Sequence, residues 1–113
     1  MIELIVKNHL EQNILNVPVV FEQPANKPDQ FILIEKTGSG RENYINTAMI
    51  AVQSYGKTLN DALLLNEEVK SAMFDLIINN KVSRCALESD YNFTDNTTKT
   101  YRYQAVFEIT YFD

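Results

Sequence analysis

The stretch that decides the fold is TLNDALLLNEEVKSAMFDLIINN, residues 58–80, the longest segment typical of a single helix. At about 100° per residue its apolar side chains fall on one broad arc, the pattern of a helix that packs on a core. That arc contains Leu59, Ala62, Leu63, Leu65, Val69, Ala72, Met73, Leu76 and Ile77. We expect Thr58 to cap the helix by accepting a hydrogen bond from the backbone N–H of Asp61. Asn79 and Asn80 form the predicted stop signal.

Three apolar residues, Leu64, Phe74 and Ile78, interrupt the polar side of this helix. A helix that is buried on one face only does not need them. They are either ordinary exposed residues or residues under a second helix, or they mark a contact between subunits, since contiguous exposed apolar area is typical of interfaces.

Apolar periodicity and turn residues predict the other elements of a single domain, residues 1–113. These are a helix over residues 1–15, an edge strand over 17–21, a hairpin of 31–36 and 44–55 with its turn at 37–40, and a second hairpin of 82–93 and 100–112. The order α-β-β-β-α-β-β predicts an α+β fold. We expect one mostly antiparallel, mixed sheet of five strands with both helices packed on one face.

Alternation along the last two strands predicts which side chains face the core. On the core face it places Tyr101, Tyr103, Ala105, Phe107, Ile109 and Tyr111, with Cys85, Leu87, Tyr91 and Phe93 from the partner strand. The opposite face receives Arg102, Gln104, Glu108, Glu88, Asp90 and Asn92, and it meets either solvent or a neighbouring subunit. Arg102 then has three candidate contacts: an ion pair with Asp90 or Glu88, a tyrosine ring, or a carboxylate of another subunit.

Composition excludes several classes of protein. The formal charge is −5 and the ten basic residues are scattered, so no basic stripe for phosphate binding is visible and nucleic-acid recognition is not predicted. The longest apolar run has five residues, 48–52, too short for a membrane span or a secretory signal, and we expect the chain to fold in cytosol. Cys85 is the only cysteine and is interpreted as a small hydrophobic residue in a strand.

No group of residues carries the pattern of a catalytic, cofactor or metal site. His9 is the only histidine, and Glu67 and Glu68 diverge by about 100° on a helix, so neither supplies a pair of converging ligands. The run of residues 38–40 lacks the lysine and the helix of a phosphate cradle and is interpreted as a hairpin turn. The sequence therefore predicts a protein that is not an enzyme and binds no cofactor.

Several segments together resemble one protein family in their order and spacing. They are Val17-Pro18-Val19 with Pro24, residues 31–38 (FILIEKTG), Gln53-Ser54-Tyr55-Gly56, the helix over 62–73, Ser89-Asp90-Tyr91-Asn92-Phe93, and residues 99–105 (KTYRYQA). The chain is similar in this way, over nearly all of its length, to the small tail completion or tail terminator proteins of long-tailed bacteriophages and prophages. The resemblance is greatest to those that infect low-GC Gram-positive bacteria.

The resemblance implies a viral structural protein that forms a ring, commonly a hexamer, at the head-proximal end of the tail tube. Such a ring ends tube growth and joins the tail to the head connector, so the implied partners are further copies, the tail tube protein and the head connector protein. The protein would be assembled in the host bacterial cytoplasm and reside in the virion neck.

Head-to-tail packing in a ring needs two different patches, which a projecting hairpin and a helix face could supply. The residues expected to contact a neighbouring subunit or a tail partner are Arg41, Glu42 and Asn43 in the loop over 37–43, with Leu64, Phe74, Ile78 and Arg102. Two other functions stay open: another head–tail connector protein, such as a head-completion or adaptor protein, and a small-ligand-binding or hydrolytic domain.

Overall fold

The computed structural model describes residues 1–112 and has the predicted element order. Its elements are α1 (Ile2–Asn13), β1 (Val19–Val20), β2 (Phe31–Glu42), β3 (Ile45–Gly56), α2 (Leu59–Phe74) followed by a 3₁₀ helix (Asp75–Ile78), β4 (Val82–Asn92) and β5 (Tyr101–Tyr111). The sheet order is β1-β2-β3-β5-β4, with β1 parallel to β2 and the other pairs antiparallel. The α+β class, the mixed five-stranded sheet and the edge position of β1 are therefore confirmed.

The main core lies between the sheet and the two helices. Its fully buried members include Val6 and Leu10 of α1, Val69 and Met73 of α2, and Phe107 of β5. Burying one such side chain stabilises the fold by about 1.5–3 kcal/mol, which makes this layer the main source of stability.

Helix α2 begins as predicted but ends earlier. The Thr58 hydroxyl accepts a hydrogen bond from Asp61 N at 3.1 Å, which confirms the N-cap. The α-helix ends at Phe74, and residues 75–78 continue as a tighter 3₁₀ helix. Leu59, Leu63 and Ile77 are exposed, so their predicted core positions are wrong: the buried arc is narrower, and the amide of Asn66 occupies part of it.

The turn of the first hairpin lies further along the chain than predicted. Strand β2 continues through the two glycines, with Gly38 paired to Met49 and Gly40 to Thr47. The turn is instead Asn43-Tyr44, whose φ angles of 52° and 67° are the positive values that a two-residue hairpin turn requires. The hairpin therefore projects beyond its neighbouring strand β5 only by residues 42–45.

A β-bulge in β4 reverses the predicted faces of its second half. Leu87 pairs with Phe107 and Ser89 with Val106, so Glu88 is an extra residue that shifts the alternation by one. Asp90 consequently faces α2, where it accepts hydrogen bonds from Asn66 Nδ2 at 2.7 Å and Lys70 Nζ at 2.5 Å. Tyr91 and Phe93 lie on the helix-free face instead of the predicted core face. Asp90 and Asn92 lie on the helix-covered face instead of the opposite one, so the predicted faces of all four residues are wrong.

The 11-residue strand β5 pairs with β3 along its whole length, from Asn46–Tyr111 to Gly56–Tyr101. We call the first of these ends, next to the Asn43-Tyr44 turn, the hairpin end, and the second the crossover end. At about 3.3 Å per residue the two ends lie roughly 35 Å apart. The longest dimension of the molecule is 44 Å.

Gly56 is required where β3 meets the first turn of α2. A Cβ at this position would lie 2.5 Å from the backbone N of Ala62, whereas a Cβ at Gly38 meets nothing within 4 Å. We expect Gly56→Ala to lower the free energy of unfolding by about 1–3 kcal/mol in urea denaturation, because the helix backbone must move. Gly38→Ala is the control, with an expected change below about 0.5 kcal/mol. Equal effects of the two substitutions would contradict the close approach.

Asp90 should make stability depend on acid pH. Burial raises the pKa of Asp90, but the hydrogen bonds from Lys70 and Asn66 outweigh it and hold the pKa below its usual range. The stabilisation is therefore present above the unfolded pKa of about 3.9 and is lost as pH falls through the lower folded pKa. Urea denaturation should show the wild type more stable than Asp90→Asn, by about 1 kcal/mol at pH 6, with the difference vanishing toward pH 2. A difference that stays constant from pH 6 to pH 2 would refute this assignment.

Candidate functional site

Exposed apolar side chains collect at the hairpin end of the sheet. Ile45 begins β3, Phe112 follows β5, and the 3₁₀ helix immediately precedes β4, with Phe112 N donating to Lys81 O at 2.8 Å. We call this the hairpin-end surface; its exposed members are Tyr44, Ile45, Phe74, Ile77, Ile78 and Phe112. Ile78 is 80% exposed, and large exposed apolar side chains on both sides of one sheet end make this end a candidate interaction site.

Tyr44 is the most conspicuous member of the hairpin-end surface. Its φ of 67° lies in the left-handed region, which costs a residue with a Cβ about 1–2 kcal/mol. Its ring is 82% exposed, with the guanidinium carbon of Arg41 at 5.8 Å from the ring centroid. The fold does not need this ring, because glycine would form the same turn without strain. Strain held at an exposed aromatic residue indicates a role in binding.

The structure brings most of the predicted contact residues to this end and leaves two elsewhere. Arg41, Glu42 and Asn43 are exposed at the hairpin tip, on a strand and turn rather than in a loop. Phe74 and Ile78 belong to the hairpin-end surface described above. Leu64 is exposed in the second turn of α2, and Arg102 lies at the crossover end.

Arg102 is held on the helix-free face by both hydrogen bonds and aromatic rings. Its Nε donates to the carbonyl of Phe93 at 2.7 Å and its Nη1 to the Tyr55 hydroxyl at 3.0 Å. The guanidinium carbon lies 4.5 Å from the Phe93 ring centroid and 5.7 Å from that of Tyr55. Of the predicted contacts, the tyrosine ring is confirmed. The ion pair with Asp90 or Glu88 is wrong, because the bulge turns Asp90 toward the helices.

A chain of hydrogen bonds immobilises the groups around Arg102. The Tyr55 hydroxyl accepts from Gln23 Nε2 at 2.7 Å and donates to Gln53 Oε1 at 2.8 Å. Gln53 donates in turn to Gln104 Oε1 at 2.8 Å, and Gln104 donates to the Tyr91 hydroxyl. Because both glutamine side chains are buried, this network fixes their positions at little desolvation cost.

The residues around this guanidinium form the second candidate surface, the Arg102 cluster, in which Tyr91 and Phe93 are exposed, Arg102 is half-buried, and Tyr55 and Gln104 are buried beneath them. The sequence pointed only to Arg102. Tyr91 and Phe93 were missed because strict alternation assigns them to the core, and a bulge leaves little trace in a single sequence. A usable signal was the glutamine in each of the two central strands, Gln53 and Gln104, since buried amides need partners.

The ionisable side chains of His9, Glu67 and Cys85 each have different neighbours. His9 Nε2 is 2.6 Å from the carbonyl of Ala72, between the two helices, and Glu67 pairs with Lys70 at 3.0 Å. Burial raises the pKa of the Cys85 thiol to about 11, which leaves it protonated at neutral pH. No three His, Cys, Asp or Glu side chains within residues 1–112 are grouped so that they could hold a metal ion. In the same range, no helix has the length and apolar character needed to cross a bilayer.

Comparison with known proteins adds no family assignment. No protein-family model matches the chain, and no curated protein matches it either.

Removal of one hydroxyl tests the network around Arg102. Tyr55→Phe leaves a buried amide oxygen of Gln53 without its donor and deprives Gln23 and Arg102 of an acceptor. We expect the free energy of unfolding, from urea denaturation, to fall by about 1–3 kcal/mol. Tyr101→Phe, at a half-exposed residue of the same strand end, is the control and should change it by less than about 0.5 kcal/mol. Similar small effects of both substitutions would show that the network contributes nothing.

Proposed function

We propose that this chain is a non-enzymatic tail completion or tail terminator subunit of a long-tailed bacteriophage or prophage. Copies of it form a ring, six in number, at the head-proximal end of the tail tube. The partners are the tail tube protein on one side and the head connector protein on the other. Assembly takes place in the cytoplasm of the host bacterium, and the ring remains in the neck of the virion.

The observation that carries this proposal is the presence of two different candidate contact surfaces at opposite ends of one rigid sheet. A closed ring of identical subunits uses a heterologous interface, in which one patch of each copy meets a different patch of the next. The hairpin-end surface and the Arg102 cluster are two such patches. Their composition favours binding, because exposed tyrosine, phenylalanine and arginine are the residue types that anchor protein interfaces.

A ring of this kind explains how tube growth stops. A tube lengthens because each added layer presents the same surface as the layer below. A ring of a different protein that binds the last layer and presents another surface removes the site for the next one. The resemblance of the sequence to tail terminator proteins, together with the two surfaces, supports this function over a ligand-binding or hydrolytic one.

The substitution Tyr44→Gly tests binding to tail tubes without an expected loss of stability. The substitution removes the exposed ring and relieves the left-handed strain, so the free energy of unfolding should stay the same or rise by up to about 1 kcal/mol. Loss of an aromatic anchor costs about 2 kcal/mol, which predicts at least tenfold weaker joining to tail tubes. The measurement is sedimentation of the protein alone and with purified tail tubes, since the ring need form only on the tube.

Leu15→Ser is the matched control, because Leu15 is 73% exposed and belongs to neither surface. It should join tubes like the wild type. Wild-type protein that binds the head connector but not tail tubes would assign the chain to another class of neck protein. Wild-type protein that binds neither would overturn the proposed function.

A further inference from the structure

Within residues 1–112, the positive charge of Arg102 and the negative charge of Glu42 lie at opposite ends of the sheet, and Arg41 lies next to Glu42 at the tip. Arg102 and Glu42 both lack an ion pair in that range, in contrast to Lys70 with Asp90 or Arg84 with Glu108. Glu42 is exposed at the tip, where it pairs in register with Ile45 and shares the helix-free face with it. The β3–β5 ladder separates Glu42 from Arg102 by roughly 35 Å, so they cannot meet within one chain.

The Arg102 guanidinium is positioned to bind a carboxylate by donating hydrogen bonds to it. A guanidinium has five N–H groups, and the bonds to Phe93 and Tyr55 use two of them. The remaining donors are those of Nη2 and the second on Nη1, and a fork of parallel N–H groups matches a carboxylate in geometry. Because the rings and hydrogen bonds already hold the guanidinium in place, little conformational freedom is lost when an anion binds.

The groups around the guanidinium match what surrounds Glu42 at the hairpin tip. Tyr91 and Phe93 are partly exposed beside Arg102, and their rings meet edge to face at 5.8 Å between centroids. The tip presents the Glu42 carboxylate together with the side chains of Tyr44 and Ile45, and the Arg41 guanidinium lies over the Tyr44 ring. One surface therefore offers a cation among aromatic rings, and the other a carboxylate beside the apolar side chains of Tyr44 and Ile45.

We infer that Arg102 binds the Glu42 carboxylate of the neighbouring copy, with the neighbour's hairpin tip packed on Tyr91 and Phe93. This inference rests on the proposed self-association and names the contact through which it occurs. Copies of a chain with a charge of −5 repel each other unless opposite charges face at the contact. An arginine at one surface and a glutamate at the other meet that requirement with a second copy of this chain.

The test exchanges the two charges. Arg102→Glu and Glu42→Arg, each alone, should weaken assembly on tail tubes at least tenfold, as measured by sedimentation with tubes, because each brings like charges together. The double variant Arg102→Glu with Glu42→Arg should restore assembly to within about threefold of the wild type. An equimolar mixture of the two single variants should do the same, since the copies can then alternate around the ring.

Arg84→Glu is the control, because Arg84 is an exposed arginine of the neighbouring strand that faces Glu108 instead of a second copy. It should leave assembly unchanged. Glu42→Gln removes the charge of an exposed tip residue and should still weaken assembly. Because this substitution does not disturb the hydrogen bonds of Arg102, it tests the contact even if the Arg102 variants misfold.

Several outcomes would overturn the inferred contact. Assembly of Glu42→Arg or of Glu42→Gln at the wild-type level would overturn it. Failure of both the double variant and the mixture to assemble would also overturn it. In either case the proposed ring function would stand if the wild-type protein still joins tubes. A wild type that assembles neither alone nor on tubes would overturn the ring and this contact together.

Discussion

The paired strands β3 and β5 are the element on which the rest of this structure depends. Their ladder runs without a bulge from Asn46–Tyr111 to Gly56–Tyr101, and both strands are interior to the sheet. On one face they supply buried side chains to the core, such as Val52 and Phe107, against which both helices pack. Because the two strands pair residue by residue along the whole ladder, the two ends keep a fixed separation, and surfaces placed there cannot fold back on each other.

Irregularity is confined to the strands on either side of this ladder, and it positions several of the candidate contact residues. The extra residue Glu88 in β4 turns Asp90 toward α2 and brings Phe93 beneath Arg102. Further breaks in register lie between Lys36 and Gly38 of β2 and between Val82 and Arg84 of β4. The bulge at Glu88 thus assembles the aromatic surroundings of the guanidinium.

Sequence periodicity predicted the parts of the fold that depend on burial. The alternation of Ala105, Phe107 and Ile109 identified β5, and the apolar arc with its Thr58 cap identified α2, because these patterns follow directly from which side faces the core. The turn of the first hairpin was predicted at the wrong residues because Gly38 and Gly40 are typical turn residues. The observed turn, Asn43-Tyr44, adopts positive φ angles without a glycine. The predicted faces of the β4 residues after Glu88 were the reverse of those observed, because local packing and not composition decides where a bulge forms.

The candidate contacts share a physical character that a fold alone does not require. A tyrosine is held in a left-handed turn, and an arginine is fixed among aromatic rings by a hydrogen-bonded network that runs through Tyr55 and Gln53. Natural sequences tolerate such local costs mainly where binding depends on them.

The most direct test of the account is a cryo-electron microscopy map of the neck of virions that contain this chain. The account predicts a ring between tail tube and head connector, with the hairpin tip of each copy against Arg102 of the next. A neck without this chain, or neighbouring copies joined through other surfaces, would contradict it.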